Sequence, residues 1–271
     1  MSLASTQRFT DSADGTRLHA VVFGEGERDL LVLHGLAEHT GRYAHVAAAA
    51  AARGWRVTVV ELRGHGHSGG RRGHVDRWSQ YDEDLVAFAK ELRPGWRLLA
   101  HSMGGLVALD ALQGELGRPP LAPTRVALSN PLLGVAVKAP KLKVAAGRLL
   151  SKLWPTVSLT NEVDPGGLSR DPAVGRAYAE DKLVFNTITP RWFTEMEAAQ
   201  ARAMAVGAFP VPVSFFLSDK DPIVDHTKAK ALAERLGAPL HMYPGMLHEI
   251  VNEVGKEQVI ADILDQVLAD A

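Results

Sequence analysis

The sequence predicts an α/β fold, a mostly parallel sheet flanked by helices with a helical insertion. Three observations carry this. Short, fully apolar runs of strand length recur, and each stops at turn residues. Helix-like segments separate them, as parallel pairing with crossover helices requires. One run, Leu98-Leu99-Ala100-His101-Ser102-Met103-Gly104-Gly105-Leu106-Val107-Ala108, passes from an apolar strand through a tight serine corner straight into a helix.

In chain order, Leu30 to Leu33 ends at His34-Gly35, and Arg56 to Leu62 ends at Arg63-Gly64. Arg97 to Ala100 leads into the Ser102 corner, Arg125 to Ser129 ends at Asn130-Pro131, and Val211 to Leu217 ends at Ser218-Asp219. Between them, Tyr43 to Arg53 is alanine-rich, and Gln80 to Leu92 places Leu85, Phe88 and Leu92 on one helical face. Functional residues in such a sheet belong in the loops beyond the carboxyl ends of the strands. From residue 134 to about 208 the alternation breaks into helix-like stretches punctuated by Pro140, Pro155, Pro165, Pro172 and Pro190. Residues 134–208 therefore read as an inserted helical cap, with 1–133 and 209–271 forming the core. Within it, Leu142, Leu149, Leu150, Leu153 and Trp154 interleave with Lys141, Lys143, Arg148 and Lys152. The plain reading is an amphipathic helix packed on the core. The alternative is a cap helix that meets lipid and shields an acyl pocket.

The chain has 271 residues, 46% hydrophobic and 23% charged, enough for one large α/β domain with an insertion. A net charge of -1 supplies no global field for nucleic acid or an anionic membrane. The absence of cysteine excludes disulfides, thiol catalysis and Cys-ligated metal centres. The first residues lack the layout of a signal peptide, and no apolar run could span a bilayer. The expectation is a cytoplasmic protein with at most peripheral membrane contact through the cap.

The chemistry starts at Ser102. A serine held at a strand-to-helix corner projects its hydroxyl above the sheet with a helix N-terminus beneath, the arrangement of an acyl-transfer nucleophile. Small residues are needed two positions before and after it; Gly104 meets this, while Ala100 replaces the usual first glycine of G-x-S-x-G. A base must follow. Of the 11 histidines, His248 lies in a loop after the last apolar run and before a C-terminal helix, and so fits the order Ser, acid, His; His226 and His241 fit a helix start and a strand. For the acid, Asp219, Asp221 and Asp225 cluster after Val213 to Leu217. Asp221 is favoured because Pro222-Ile223-Val224 could wall it from water, whereas Asp219 could cap the turn and Asp225 the next helix. Two backbone N–H groups should face the developing oxyanion. Met103 follows the nucleophile, and Leu36 follows the early strand ending at His34-Gly35.

Three further features have plainer readings. Arg63-Gly64-His65-Gly66-His67-Ser68-Gly69-Gly70 could suggest a phosphate loop or a histidine metal site. It lacks a Gly-Lys-Ser/Thr ending and an acidic ligand cluster, so it reads as a glycine-rich loop beneath the active site. Glu38-His39 reads as support for the oxyanion loop, and Arg71-Arg72 as solvated surface.

The motifs His34-Gly35-Leu36-Ala37-Glu38-His39 with Arg42-Tyr43, Arg63-Gly64-His65-Gly66-His67-Ser68, His101-Ser102-Met103-Gly104-Gly105, Asp221-Pro222-Ile223-Val224-Asp225 and Tyr243-Pro244-Gly245-Met246-Leu247-His248-Glu249 follow one another along the whole core. In this combination the chain resembles the monoacylglycerol lipase and lysophospholipase branch of the α/β-hydrolase superfamily, the serine aminopeptidase S33-like hydrolases. The resemblance implies an eight-stranded sheet with a helical cap and a Ser102, Asp221, His248 triad. It also implies Leu36 and Met103 as oxyanion donors, with His34, Gly35, Glu38, His39 and His101 as their support. It implies hydrolysis of a single-chain lipid ester such as a monoacylglycerol, with no cofactor or metal. Alternatives are a lysophospholipase, a short-chain carboxylesterase, a proline-type peptidase, or a non-catalytic binding protein of the same fold.

Overall fold

The computed structural model describes residues 4–114, 122–137, 140–161 and 163–270. The main sheet has eight strands: β1 (Ser5–Asp11), β2 (Arg17–Phe23), β3 (Arg28–Leu33), β4 (Trp55–Glu61), β5 (Arg97–His101), β6 (Val126–Ser129), β9 (Val213–Ser218) and β10 (Leu240–Tyr243). Their order is β1-β2-β4-β3-β5-β6-β9-β10, and only β2 runs antiparallel to its neighbours. The five apolar runs became β3, β4, β5, β6 and β9. β1 had no such signal, because it is a solvated edge strand whose residues are nearly all exposed, whereas the apolar run Ala20-Val21-Val22-Phe23 of β2 was passed over.

Alternate strand residues face opposite helical layers. Leu31, Leu33, Leu98, Ala100, Leu128, Phe215 and Leu217 share a core with α2 (Ser79–Ala89), α3 (Met103–Leu112) and α7 (His226–Leu236). Leu30, Val32, Val57, Leu99, Ala127 and Phe216 pack against α1 (Ala44–Ala51) and α8 (Lys256–Val267). Burial on both faces explains why these strands read as continuous apolar runs.

The topology sets the place of the site. After β3 the chain crosses to β4 on one side, and later to β5 on the other. The loops leaving β3 and β5 thus diverge at a switch point, where a crevice opens. Leu33 pairs with Ala100, so His34-Gly35-Leu36 lies beside His101-Ser102-Met103.

Between β6 and β9 the chain forms α4 (Lys141–Leu153), α5 (Pro172–Glu180), α6 (Pro190–Ala205) and a small antiparallel pair, β7 (Leu159–Thr160) with β8 (Thr187–Ile188). Two of the prolines open helices: Asp171 caps α5 before Pro172, and Thr189 caps α6 before Pro190. The segment is tied to the core by Trp192 Nε1 donating to the Tyr81 hydroxyl at 3.0 Å and by Arg202 pairing with Asp110 at 2.6 Å. Thr189 N–H also donates to the Gly73 carbonyl at 2.9 Å. Arg72 corrects the expectation of a solvated pair: it donates to the Leu183 carbonyl at 2.6 Å and lies over the Phe185 ring.

Beneath the glycine-rich loop, Arg63 is buried and bonds Asp84 at 2.6 Å, Asp14 at 2.6 Å and Ser12 at 2.9 Å. Asp84 is fully buried. Removing the guanidinium would strand that carboxylate in the core, so Arg63→Ala should lower the unfolding free energy by about 3–5 kcal/mol in denaturant titrations.

Candidate active site

Ser102 sits between β5 and α3 with φ +51° and ψ -117°, a conformation that L-residues rarely adopt. Its backbone is pinned from both sides. Its N–H donates to the Ser129 carbonyl at 3.0 Å, and its own carbonyl accepts from Leu132 at 2.9 Å and from Gly105 at 3.0 Å. Gly104 is required here, because a Cβ would lie 2.5 Å from the His34 carbonyl oxygen and 2.9 Å from that of Leu33. Ala100 makes no such demand; its methyl is buried with Leu33 and Leu128 in the core.

His248 Nε2 lies 3.0 Å from Ser102 Oγ, and its Nδ1 lies 2.6 Å from Asp221 Oδ2. The other oxygen of Asp221 accepts the N–H groups of Ile223 at 2.8 Å and Val224 at 2.9 Å. All three side chains are buried. Burial opposes ionisation of Asp221, but the facing His248 and the two amides hold its carboxyl below the usual range. Burial likewise opposes a charged His248, yet the Asp221 carboxylate outweighs it and raises the imidazole above 6.5. Of the rival acids, Asp219 accepts the Gly245 N–H at 2.6 Å and Asp225 caps α7, so neither faces His248.

Leu36 and Met103 both present backbone N–H groups near the corner, and neither donates to a protein acceptor among the described residues. Met103 is the first residue of α3, where an unpaired N–H is expected. The loop around Leu36 is fixed from several directions. His34 Nδ1 donates to the Gly35 carbonyl at 2.7 Å and its Nε2 accepts the Leu62 N–H at 3.2 Å. Glu38 Oε2 accepts the Gly35 N–H at 2.7 Å and the Tyr43 hydroxyl at 2.6 Å. His39 accepts the Gly41 N–H at Nδ1 and donates from Nε2 to Asp181, 2.8 Å away in the inserted segment. His101 donates to Ser129 at 3.1 Å, and its ring lies 4.7 Å from that of His248. Burial, with His248 beside it, pushes His101 down to about 4, so it is neutral at physiological pH.

Three contributors were given no role by the sequence. Arg42 bridges two buried carboxylates, reaching Glu249 at 2.5 Å and Glu38 at 3.3 Å. Burial and the charge of Glu38 push Glu249 up to about 7. Asn130 donates to the His248 carbonyl at 2.7 Å and to Ser218 Oγ at 2.9 Å, tying the ends of β6 and β9 to the histidine loop. An Asn-Pro at a strand end was its only trace. Asp181 gave none, since its partner lies 142 residues away.

His19, Glu61 and His67 approach one another closely enough to hold a cation. Glu61 already accepts His19 Nδ1 at 2.9 Å, the His67 N–H at 2.6 Å and both donors of Thr40, so the trio acts here as the anchor of the glycine-rich loop.

The Ala100 and Gly104 environments make opposite demands. Ala100→Gly should cost about 1 kcal/mol, mostly through backbone entropy. Gly104→Ala should lower the melting temperature further and weaken any chemistry at Ser102, as thermal scans and active-site titration would show.

The chain matches the family model described as "Serine aminopeptidase, S33" over residues 25–255. It is 32% identical over 253 residues to a monoacylglycerol lipase of Mycolicibacterium smegmatis, covering 89% of each chain. It is 31% identical over 243 residues to an uncharacterized abhydrolase domain-containing protein of Dictyostelium discoideum; the match takes in 86% of this chain but spans only 25% of that longer protein. The crystal structure of a monoacylglycerol lipase from Paleococcus ferrophilus superposes with a TM-score of 0.84 at 27% identity, over 93% of this chain and 98% of that one. The chain belongs to the serine aminopeptidase S33 family of α/β-hydrolases, in the branch that holds monoacylglycerol lipases and lysophospholipases.

Proposed function

We propose that this chain is a serine hydrolase of single-chain lipid esters, with monoacylglycerol as its first substrate and Ser102, His248 and Asp221 as its triad. One observation carries the reading: the unbroken chain from Ser102 Oγ through His248 to Asp221, at 3.0 and 2.6 Å, on a strained corner flanked by two unpaired N–H groups.

His248 Nε2 takes the Ser102 proton as Oγ attacks the ester carbonyl. Asp221 keeps the Nδ1 proton in place and stabilises the imidazolium. The Leu36 and Met103 N–H groups receive the oxyanion, each worth a few kcal/mol at the transition state. The imidazolium then protonates the leaving alcohol, which departs and leaves an acyl group on Ser102. Water, deprotonated by His248, cleaves that ester by the same steps and frees the fatty acid.

Residues 134–208 serve as a cap in this reading. Leu168, Tyr178 and Phe185 from the inserted segment cluster with Ala37, and Leu36, Val184 and Ile223 pack around them. An apolar cover beside the oxyanion loop suits an acyl chain and keeps water from the site. The relatives named as monoacylglycerol lipases support the glycerol ester as the head. One observation favours a lysophospholipid instead: a groove of about 540 Å³ opens against Leu247 and is lined by Arg176, by Arg170, which pairs with Glu253, and by Asp164. Arg176 has no ion-pair partner among the described residues.

A fluorophosphonate probe should label the folded wild type and fail on Ser102→Ala; absence of labelling in the wild type would leave a non-catalytic fold. Medium-chain monoacylglycerols should be cleaved faster than acetate esters, and equal rates would remove the lipid reading. If the groove binds a phosphate head, Arg176→Ala should raise KM for lysophospholipids and leave monoacylglycerols unaffected.

The pH profile follows from the charges. His248 must be neutral to act as base, and its pKa is raised above 6.5, so kcat/KM should fall toward acid on a limb centred above 6.5. Asp221→Asn removes the largest raising partner and leaves burial opposed only by the charges of Glu249 and Glu38. The limb should then move toward acid and kcat should drop on the order of 10⁴-fold.

A further inference from the structure

His19 and Glu61 stand directly opposite each other in the register of β2 and β4, so their side chains share one face of the sheet. The glycine-rich loop then folds back over the carboxylate. Only glycine permits this at position 66, where a Cβ would lie 2.1 Å from Glu61 Cδ. His67 comes next, and its ring centre lies 4.9 Å from that of His19. One ligand atom from each of the three residues lies within 4.8 Å of the other two. The sheet thus supplies the acid that the loop by itself lacks, together with a histidine from β2.

The spacing suits a shared metal ion. Zinc held tetrahedrally at its usual bond lengths to imidazole and carboxylate sets neighbouring ligand atoms about 3.3 Å apart. His19 Nδ1 lies 2.9 Å and His67 Nδ1 3.5 Å from the same oxygen, Glu61 Oε2. The second separation is too long for a good hydrogen bond. Glu61 also has room for one cation. Each carboxylate oxygen has two lone pairs. Oε1 accepts the Thr40 N–H at 3.1 Å and the Thr40 hydroxyl at 2.9 Å, while Oε2 accepts the His67 N–H at 2.6 Å and His19 Nδ1–H at 2.9 Å. A cation at Oε2 displaces only the last of these, and the three bonds that anchor the loop and Thr40 survive. His19 then carries its proton on Nε2. That nitrogen is buried and has no hydrogen-bond partner, so no existing bond opposes the change of tautomer. The His67 side chain is 55% exposed, which leaves a path for the ion and an open position for water. Two imidazoles and one carboxylate select a borderline ion such as Zn²⁺ over the hard ions Ca²⁺ and Mg²⁺.

We propose that His19, Glu61 and His67 form a binding site for a divalent transition metal of the zinc class, which clips β2 and β4 to the glycine-rich loop. The site uses none of the residues at the Ser102 corner, and the metal takes no part in the chemistry there.

Isothermal titration of the full chain, free of any purification tag and treated with chelator, tests this. One equivalent of Zn²⁺ should bind in the micromolar range or tighter and raise the melting temperature, as a ligand of the folded state alone must. Ca²⁺ and Mg²⁺ at the same concentrations should do neither. His67→Ala keeps the backbone N–H that Glu61 accepts, and His19→Asn keeps an N–H donor toward Oε2 while removing the imidazole. Both variants should therefore melt near the wild type when metal-free. Each should weaken Zn²⁺ binding more than about 100-fold, since loss of even an outer partner of a ligand costs about 10–100-fold. If His19→Asn does not fold, His67→Ala decides alone. Absence of saturable Zn²⁺ binding, binding unchanged in His67→Ala, or equal affinity for Ca²⁺ would each overturn the proposal. Esterase activity is not the readout, so failure of the ester reading leaves this result standing.

Discussion

The backbone of Ser102 is the constraint on which the site depends. A left-handed φ at a non-glycine residue costs about 1–3 kcal/mol and persists only where its surroundings over-determine it. Here β6 supplies an acceptor at Ser129, and the turn after it returns a donor at Leu132. The His34 and Leu33 carbonyls come so close that only glycine fits at position 104. The same close approach holds the β3 loop against the start of α3.

A second set of forces holds the loops that the sheet merely starts. Glu38 fixes the Gly35 amide, Glu249 follows His248 directly, and both carboxylates converge on Arg42. One guanidinium therefore links the loop carrying Leu36 to the loop carrying His248. Two acids sharing one buried base cannot ionise equally, and this is why Glu249 is pushed up toward neutrality while Glu38 stays charged. Such buried charge adds little net stability, but it permits few alternative arrangements.

The inserted segment joins these two systems. Asp181 holds His39, Arg72 holds Leu183, and the Leu168 carbonyl accepts the Glu249 N–H at 2.8 Å. These bonds place apolar side chains over the Leu36 loop, while α4 packs on α6 by a small, partly polar face. The same segment thus presents one surface to the Leu36 loop and another to solvent, and the proposal for acyl binding rests on the first.

The strand runs, the serine corner and the order of serine, aspartate and histidine were legible in the sequence, because each is a local pattern. Apolar length marks a buried strand, and small residues mark a tight turn. β1 was not legible, because an exposed edge strand carries no apolar run. The Arg42 bridge, the Asn130 tie and the His39–Asp181 pair were equally hidden, since each joins residues brought together only by the sheet order. The sequence alone also left α4 open. An amphipathic pattern specifies that one side of a helix is apolar, but which side is covered is decided by the neighbour it packs against, and α6 took the other side.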